Sequence, residues 1–298
     1  MTQGLLLINK PNGKTSFGVV AKIKWLLHEK RVGHTGTLDP MATGVLPVFV
    51  GRATALSSIL LEADKVYTAT FRFGITTDTA DITGNVLTET DVKITEEEIL
   101  SAFPEFTGEI TQTPPMFSAL KKDGVPLYKL ARLGKTVDIP KRQVTINFIE
   151  PKTKFENNEI TVQVSCSKGT YIRSLCRDIG EYLGCGATLS ALRRDETSGF
   201  KLEDCVNLDD LTPENVQDYI ISEEKAVEFL REINISEKQA VRFTNGGQLR
   251  FDRLNYNLGT DNEMLRVKYN GRLLGIGVTD LKNSQVAIKC ILRGVKDE

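Results

Sequence analysis

A segment rich in glycine and in small hydroxyl residues runs directly into an apolar stretch between residues 33 and 50. It reads GHTGTLDPMATG and is followed by VLPVFV. Glycine and proline at this density predict an ordered loop, and the apolar run predicts a buried strand behind it. Pro40 keeps Asp39 out of helical geometry, because the residue before a proline is pushed towards extended conformations. The loop therefore presents one carboxylate, Asp39. These residues alone support a catalytic interpretation and an ordinary-turn interpretation about equally.

Four other segments follow a recognisable order around this loop. They are GLLLINKPNGKTS at residues 4–16, DKVY at 64–67, TPPMFSALK at 113–121, and CSKGTYIRSL at 166–175 with LRR at 192–194. Together with the loop, these blocks resemble the TruB-type family of pseudouridine synthases, which modify uridine 55 in the T-loop of tRNA. The resemblance implies an isomerase that binds the elbow region of tRNA and needs no cofactor, no metal and no obligatory protein partner.

The overall charge excludes a uniformly basic nucleic-acid-binding protein. The net charge of the 298 residues is −1 and the pI is near 6.3. A local patch is nevertheless present, because residues 114–142 hold seven basic and two acidic side chains, whereas residues 203–232 hold ten acidic and two basic ones. We therefore expect RNA affinity to come from the first of these segments. It resembles the family's RNA-binding insertion, and its pattern predicts a short helix at residues 127–133.

The cysteines and the N-terminus predict a cytoplasmic protein without membrane contact. The five cysteines form no Cys-x-x-Cys pair and have no histidine at metal-ligand spacing, which is typical of reduced thiols. No basic-then-apolar signal opens the chain, and the longest apolar runs are far shorter than a membrane span.

Hydrophobic periodicity predicts an α+β fold with a mixed, largely antiparallel sheet. Strands are expected near residues 5–8, 45–50, 67–73, 145–150 and 160–167, and helices at 16–28, with Ser16 as N-cap, from Thr95 onwards, and at 171–183. A boundary is expected near residue 232. It separates a catalytic domain (1–232) from a small β-rich domain (233–298) that resembles the PUA-type RNA-binding domain of these synthases.

Pseudouridine formation breaks the bond between ribose and N1 and joins C5 to the same sugar carbon, so an ionised carboxylate suffices. By resemblance, Asp39 is the nucleophile, although the residues leave open whether it forms a covalent bond or stabilises developing charge. The guanidinium of Arg173 is expected to hold Asp39 in place, because arginine forms planar, permanently charged pairs with carboxylates. A surface arginine is the alternative interpretation.

The remaining predicted site residues hold a base that has been flipped out of the RNA. Stacking on aromatic faces holds such bases, so Tyr67 is expected to stack on the uracil. By resemblance Tyr67 also helps to remove the C5 proton, Tyr171 joins the substrate pocket, Leu192 forms its apolar wall, and His34 occupies the space that the bases vacate. Without the family, these side chains would be read as core or strand residues. The candidate phosphate contacts are Lys10, Lys14, Lys121, Lys122, Lys129, Arg132, Arg193 and Arg194.

Three other functions fit parts of the sequence. Gly13-Lys14-Thr15 resembles the end of a P-loop, but Ile8 stands where the first glycine is required, which excludes that motif. A hydrolase acting on a nucleoside bond would need water in a closed pocket. A non-catalytic tRNA-binding or tRNA-folding protein on the same scaffold is the main alternative, and the presence of Asp39, Tyr67 and Arg173 together argues against it.

Overall fold

The computed structural model describes residues 3–135, 137–257 and 259–295. The helices are α1 (Ser16–Leu27), α2 (Ser57–Leu60), α3 (Glu96–Ala102), α4 (Leu127–Arg132), α5 (Ile172–Tyr182), α6 (Glu223–Ala226) and α7 (Glu237–Thr244). The strands are β1 (Gly4–Lys10), β2 (Val32–His34), β3 (Thr43–Val50), β4 (Lys65–Phe73), β5 (Ile75–Thr77), β6 (Val86–Glu89), β7 (Gly108–Gln112), β8 (Lys121–Lys122), β9 (Val125–Pro126), β10 (Arg142–Pro151), β11 (Glu159–Cys166), β12 (Ala187–Thr197), β13 (Phe200–Lys201), β14 (Val206–Asn207), β15 (Arg231–Asn234), β16 (Leu249–Arg250), β17 (Met264–Tyr269), β18 (Arg272–Asp280) and β19 (Gln285–Ile291). Residues 1–2, Thr136 of the predicted insertion, Leu258 and residues 296–298 lie outside the described residues.

Two sheets organise these elements. The larger one has ten strands with the central order β14-β1-β3-β12-β4-β11-β10-β7, to which β2 and β13 are attached through β3 and β12. Its pairs are antiparallel except β1–β14 and β3–β12, which are parallel. The smaller sheet has the order β15-β17-β18-β19-β16. This architecture confirms the predicted α+β class, with a mixed, largely antiparallel sheet and a small β-rich C-terminal unit.

The side chains of β1 are buried on both sides of the large sheet. Leu6 and Ile8 pack into a core that also receives α1 and α5, whereas Leu5 and Leu7 face a second core on the other side. Because successive side chains of a strand point to opposite faces, a strand covered on both sides must be apolar throughout. This explains the uninterrupted run LLLI at residues 5–8.

The second core joins the catalytic sheet to the C-terminal unit. Leu273 and Ile276 of β18 and Leu292 pack with Leu5 and Phe49 of the large sheet. An ion pair between the half-buried Arg293 and the buried Glu223 lies at the same junction. The two units therefore share apolar surface as well as a chain connection.

Local signals account for the helix ends, with one correction. The Thr95–Glu98 capping box opens α3, and α5 lies within one residue of its predicted span at each end. Ser16, however, is wrong as the N-cap of α1. The cap is Thr15, whose hydroxyl accepts a hydrogen bond from the Gly18 amide at 2.9 Å. Ser16 is instead the first helical residue, and its hydroxyl is used elsewhere. Among the described residues, no helix has the length and hydrophobicity required to cross a membrane.

Candidate active site

The loop that carries Asp39 connects β2 to β3 and is fixed on both sides of the carboxylate. The Ser16 hydroxyl accepts from the Leu38 amide at 2.9 Å and donates to the Leu38 carbonyl at 3.1 Å. On the other side, the Pro40 carbonyl accepts from the Gly13 amide at 2.8 Å and from the Lys10 ammonium at 3.1 Å. The loop is thus held by the turn after β1 and by the start of α1.

Arg173 binds Asp39 through two parallel hydrogen bonds. Its Nε lies 2.8 Å from Asp39 Oδ2, and its Nη2 lies 3.0 Å from Asp39 Oδ1. Arg173 stands in the first turn of α5 and is only 4% exposed, so it is not a surface arginine. Such a bidentate pair fixes the plane of the carboxylate as well as its position.

The guanidinium of Arg173 is also held by two other segments. Nη1 donates to the Thr79 carbonyl at 2.9 Å and lies 3.6 Å from the buried carboxylate of Asp81. Nη2 donates to the carbonyl of Phe117, in the insertion, at 2.9 Å. Residues 39, 79–81 and 117 therefore converge on one cation, which sequence analysis anticipated only for Asp39.

Burial dominates the electrostatics of Asp39. It raises the pKa of this carboxyl above its ordinary value, the nearby Asp81 adds to the increase, and Arg173 and Lys10 act against it. The side chain of Asp39 still keeps 32% of its surface exposed. The result is a poorly hydrated carboxyl group that is oriented by a cation and open on one side, as a nucleophile or a charge-stabilising group requires.

Asp39 opens into a cavity of about 600 Å³, a size that suits a small ligand. Tyr67 on β4, Leu192 on β12 and Tyr171 at the N-cap of α5 all line it, together with Asp39 and Arg173. The predicted catalytic and pocket residues, apart from His34, are therefore brought together around one space. Burial raises the pKa of the Tyr67 phenol above its ordinary value.

Tyr171 is positioned from two directions. Its amide donates to the side-chain oxygen of Gln112 at 2.8 Å, and the guanidinium of Arg142 lies 5.8 Å from the centre of its ring. Arg142 and Lys168 also line the cavity. Arg142 belongs to the basic patch predicted from the sequence but was not assigned to the pocket, because β10, predicted from residue 145, in fact begins at Arg142.

His34 does not line this cavity. It is half-buried on β2, and its Nδ1 is buried without a hydrogen-bond partner among the described residues. Burial and the charge of Arg194 lower the pKa of the imidazole, which favours its neutral form. Its predicted contact with vacated base positions stays a prediction.

Two predicted phosphate contacts are wrong because they are buried. Lys10 is 0% exposed, and its ammonium donates to the carbonyls of Pro11, Lys14 and Pro40 at 2.9, 2.5 and 3.1 Å. Burial lowers the pKa of Lys10 to about 8, against the charge of Asp39. Arg194 is 1% exposed and donates to backbone carbonyls. Neither side chain reaches a phosphate at the surface.

The other predicted phosphate contacts are accessible but lie in different places. The exposed ones in the insertion are Lys121, Lys122, Lys129 and Arg132. Lys14 is half-buried after β1, and Arg193 is exposed on the sheet face away from the cavity, where it pairs with Asp195 at 2.6 Å. Among the residues that the structure covers, no group of three or more histidine, cysteine or acidic side chains could hold a metal ion.

Comparison with known proteins places this geometry in context. Residues 24–172 match the model of the TruB family pseudouridylate synthase (N terminal domain), and residues 173–233 match that of the tRNA pseudouridylate synthase B C-terminal domain. The chain is 46% identical over 282 residues to tRNA pseudouridine synthase B of Clostridium perfringens strain 13, covering 94% of this chain and 96% of that protein. It is 41% identical over 299 residues to tRNA pseudouridine synthase B of Pseudomonas paraeruginosa strain PA7, covering 97% and 96%.

A solved structure, a crystal structure of a Cbf5-Nop10-Gar1 complex, contains a similar chain. The TM-score is 0.74 at 28% sequence identity, with 98% of this chain and 85% of that chain covered. The similarity therefore extends over the catalytic sheet and the C-terminal unit together.

Proposed function

Because the chain belongs to the TruB family of pseudouridylate synthases, we propose that it isomerises uridine 55, in the T-loop of tRNA, to pseudouridine. The class of reaction, isomerisation of a uridine in tRNA, follows from family membership. The position of the target and the roles of individual residues are the parts that we infer. A tRNA substrate agrees with the cytoplasmic location predicted from the sequence, and we infer no obligatory protein partner.

The Asp39–Arg173 pair at the edge of the cavity carries this proposal. The carboxylate is oriented at 2.8 and 3.0 Å by a guanidinium that three segments hold in place. A nucleotide in the cavity would meet an acid fixed before it arrives, so little reorganisation is needed when charge develops on the sugar. We assign Asp39 as the catalytic carboxylate, which acts as a nucleophile that bonds to the substrate or as a group that stabilises that charge.

The aromatic and apolar walls would hold the extruded base. Tyr67 and Leu192 lie on neighbouring strands, and Tyr171 stands across the cavity at α5. A base stacked on such a side chain gains about 1–3 kcal/mol, which offsets part of the cost of unstacking it from the RNA. The base must turn before C5 reaches the sugar carbon, and a closed pocket keeps water from the open bond meanwhile.

Affinity for the rest of the tRNA is assigned to cations outside the cavity. The exposed side chains of the insertion, Lys121, Lys122, Lys129 and Arg132, would neutralise phosphates without reading sequence. We further propose that residues 1–232 form the catalytic domain and that residues 233–298, which resemble a PUA-type domain, add RNA contacts.

Replacement of Asp39 by asparagine tests the catalytic role. We expect D39N to bind unmodified tRNA with nearly wild-type affinity and to produce no pseudouridine when the T-loop is mapped by base-specific chemical modification. Asp209→Asn, a change at an exposed residue that pairs with Lys22, is the matched control and should leave activity intact. Wild-type protein that binds tRNA but modifies no uridine would support the non-catalytic alternative. Substantial turnover by D39N would refute the role of Asp39.

A further inference from the structure

Arg194 is a buried cation. Its burial argues against the predicted contact with a phosphate, and its position beside the cavity suggests a different role. Its Nε donates to the Val45 carbonyl at 2.8 Å, and its Nη2 donates to the Gly36 carbonyl at 3.0 Å. Within the described part of the chain, no carboxylate forms an ion pair with it. A buried charge without an ionic partner is costly, so its presence beside the cavity that it helps to line points to a use there.

Two glycines on either side of Asp39 lie against Arg194, Gly36 against its side chain and Gly44 against its backbone. A Cβ at Gly36 would lie 2.9 Å from Arg194 Nη1, and a Cβ at Gly44 would lie 2.2 Å from the Arg194 carbonyl oxygen. Both glycines also have positive φ, of +75° and +98°. The glycine-rich character of the loop is therefore linked to the approach of Arg194 as well as to the turn itself.

Arg194 also lies beside Tyr67. The two residues are direct cross-strand partners on β12 and β4, and both line the cavity. The guanidinium acts on the Tyr67 phenol by charge and by a hydrogen bond, both of which lower the pKa of the phenol that burial raises. Asp39 and the thiol of Cys166 also face Tyr67, and they act in the opposite direction.

We propose that Arg194 is a positioning residue of the uridine isomerisation, which fixes the Tyr67 hydroxyl at the cavity and ties it to the loop that carries Asp39. This inference rests on the proposed function. When the bond between C1′ and N1 breaks, its electron pair stays on the uracil. The ring gives electrons back when C5 bonds to C1′ and the C5 proton is lost, while N1 gains a proton. A hydroxyl whose oxygen accepts from a cation is a stronger donor to that transient negative charge.

The titration of Tyr67 tests the contact without requiring turnover. Protein labelled with 3-fluorotyrosine, in which the phenol is more acidic, is titrated by fluorine NMR, and the Tyr67 signal is assigned from Tyr67→Phe. We expect Arg194→Met to raise the pKa of Tyr67 further, and Arg194→Lys, which keeps a cation, to raise it less. If Arg194 only held the loop together, its loss would expose Tyr67, and the pKa would fall towards the ordinary value. A fall or an unchanged pKa overturns the proposal.

Single-turnover kinetics supply the second measurement. We expect Arg194→Met to slow isomerisation about 10- to 100-fold while the Kd for tRNA stays within about twofold, since a misplaced group costs chemistry rather than binding. Arg72→Met on β4, the strand that carries Tyr67, is the control and should change neither, because its side chain is 43% exposed and lies 3.9 Å from Glu159. A loss confined to tRNA affinity would overturn the proposal in favour of a phosphate contact. Wild-type protein without isomerase activity would instead refute the proposed function, while the fluorine titration would still report the contact.

Discussion

Replacing Arg173 should lower the stability of the folded protein much more than replacing its partner Asp39. Arg173→Met deprives Asp39, Asp81 and the carbonyls of Thr79 and Phe117 of their shared donor. Deleting one partner of a buried pair costs about 3–5 kcal/mol. Because Asp39 is 32% exposed, solvent recovers part of this, and we expect about 3 kcal/mol, or a decrease in Tm of about 6–12 °C.

Asp39→Asn should not destabilise the protein in the same way. Burial raises the pKa of Asp39, so folding disfavours its ionised form. Above the unfolded pKa, near 3.8, the unfolded chain releases this proton more readily than the folded one, and the contribution of Asp39 to stability falls as pH rises. The asparagine has no such dependence. D39N should therefore gain stability relative to wild type between pH 3.5 and pH 7.

Thermal unfolding followed by circular dichroism at both pH values measures these differences. Asp209→Asn serves as the control, because its pair with Lys22 lies at the surface, where a single ion pair contributes little to stability. If D39N at pH 7 lost as much stability as Arg173→Met, the Asp39 carboxylate would be a stabilising partner of the arginine. That result would refute the inference that the folded protein keeps this carboxylate ionised for catalysis at the expense of stability.

Three further predictions concern the surroundings of the site. Because the pKa of Lys10 is lowered to about 8, between about pH 8 and 10.5 only the unfolded chain keeps the proton of this side chain. Urea unfolding should therefore show that the wild type gains stability with rising pH relative to Lys10→Met, and a parallel pH dependence of the two proteins would contradict this. Changing Lys121 and Lys122 to glutamine should weaken tRNA binding and lower its salt slope by about one to two, and an unchanged slope would remove them from the interface. Ile276→Ala should destabilise the whole chain by about 2–5 kcal/mol in one transition, whereas separate melting of the C-terminal unit would refute the shared core.

Features that depend on neighbouring residues were predictable from the sequence. The capping box at Thr95, the span of α5 and the loop before β3 follow from local spacing, and the structure agrees with each. The pairing of Arg173 with Asp39 was reached through the family resemblance rather than through spacing, since 134 residues separate them.

The Arg173 contacts that were missed and the wrong placement of Arg194 concern side chains whose surroundings come from distant segments. The Arg173 site includes the Thr79 and Phe117 carbonyls, which lie 94 and 56 residues away along the chain, so no local pattern marked them. Arg193 and Arg194 carry the same charge, but adjacent residues on a strand face opposite ways, and only one of the two could lie at the surface on a given side. That alternation was the signal available for placing Arg194 inside.

The strand β1 has a consequence for how proteins of this kind are recombined. Its Leu5 and Leu7 belong to the same buried core as Leu273 and Ile276 of β18, so a hydrophobic layer joins the catalytic sheet to the C-terminal unit in addition to the chain connection. A chimaera that joins the catalytic sheet of one relative to the C-terminal unit of another brings together apolar side chains that are not matched to each other. Exchange of the C-terminal unit must therefore preserve the packing of this core before it can alter RNA preference. A workable exchange replaces the side chains of the whole core together.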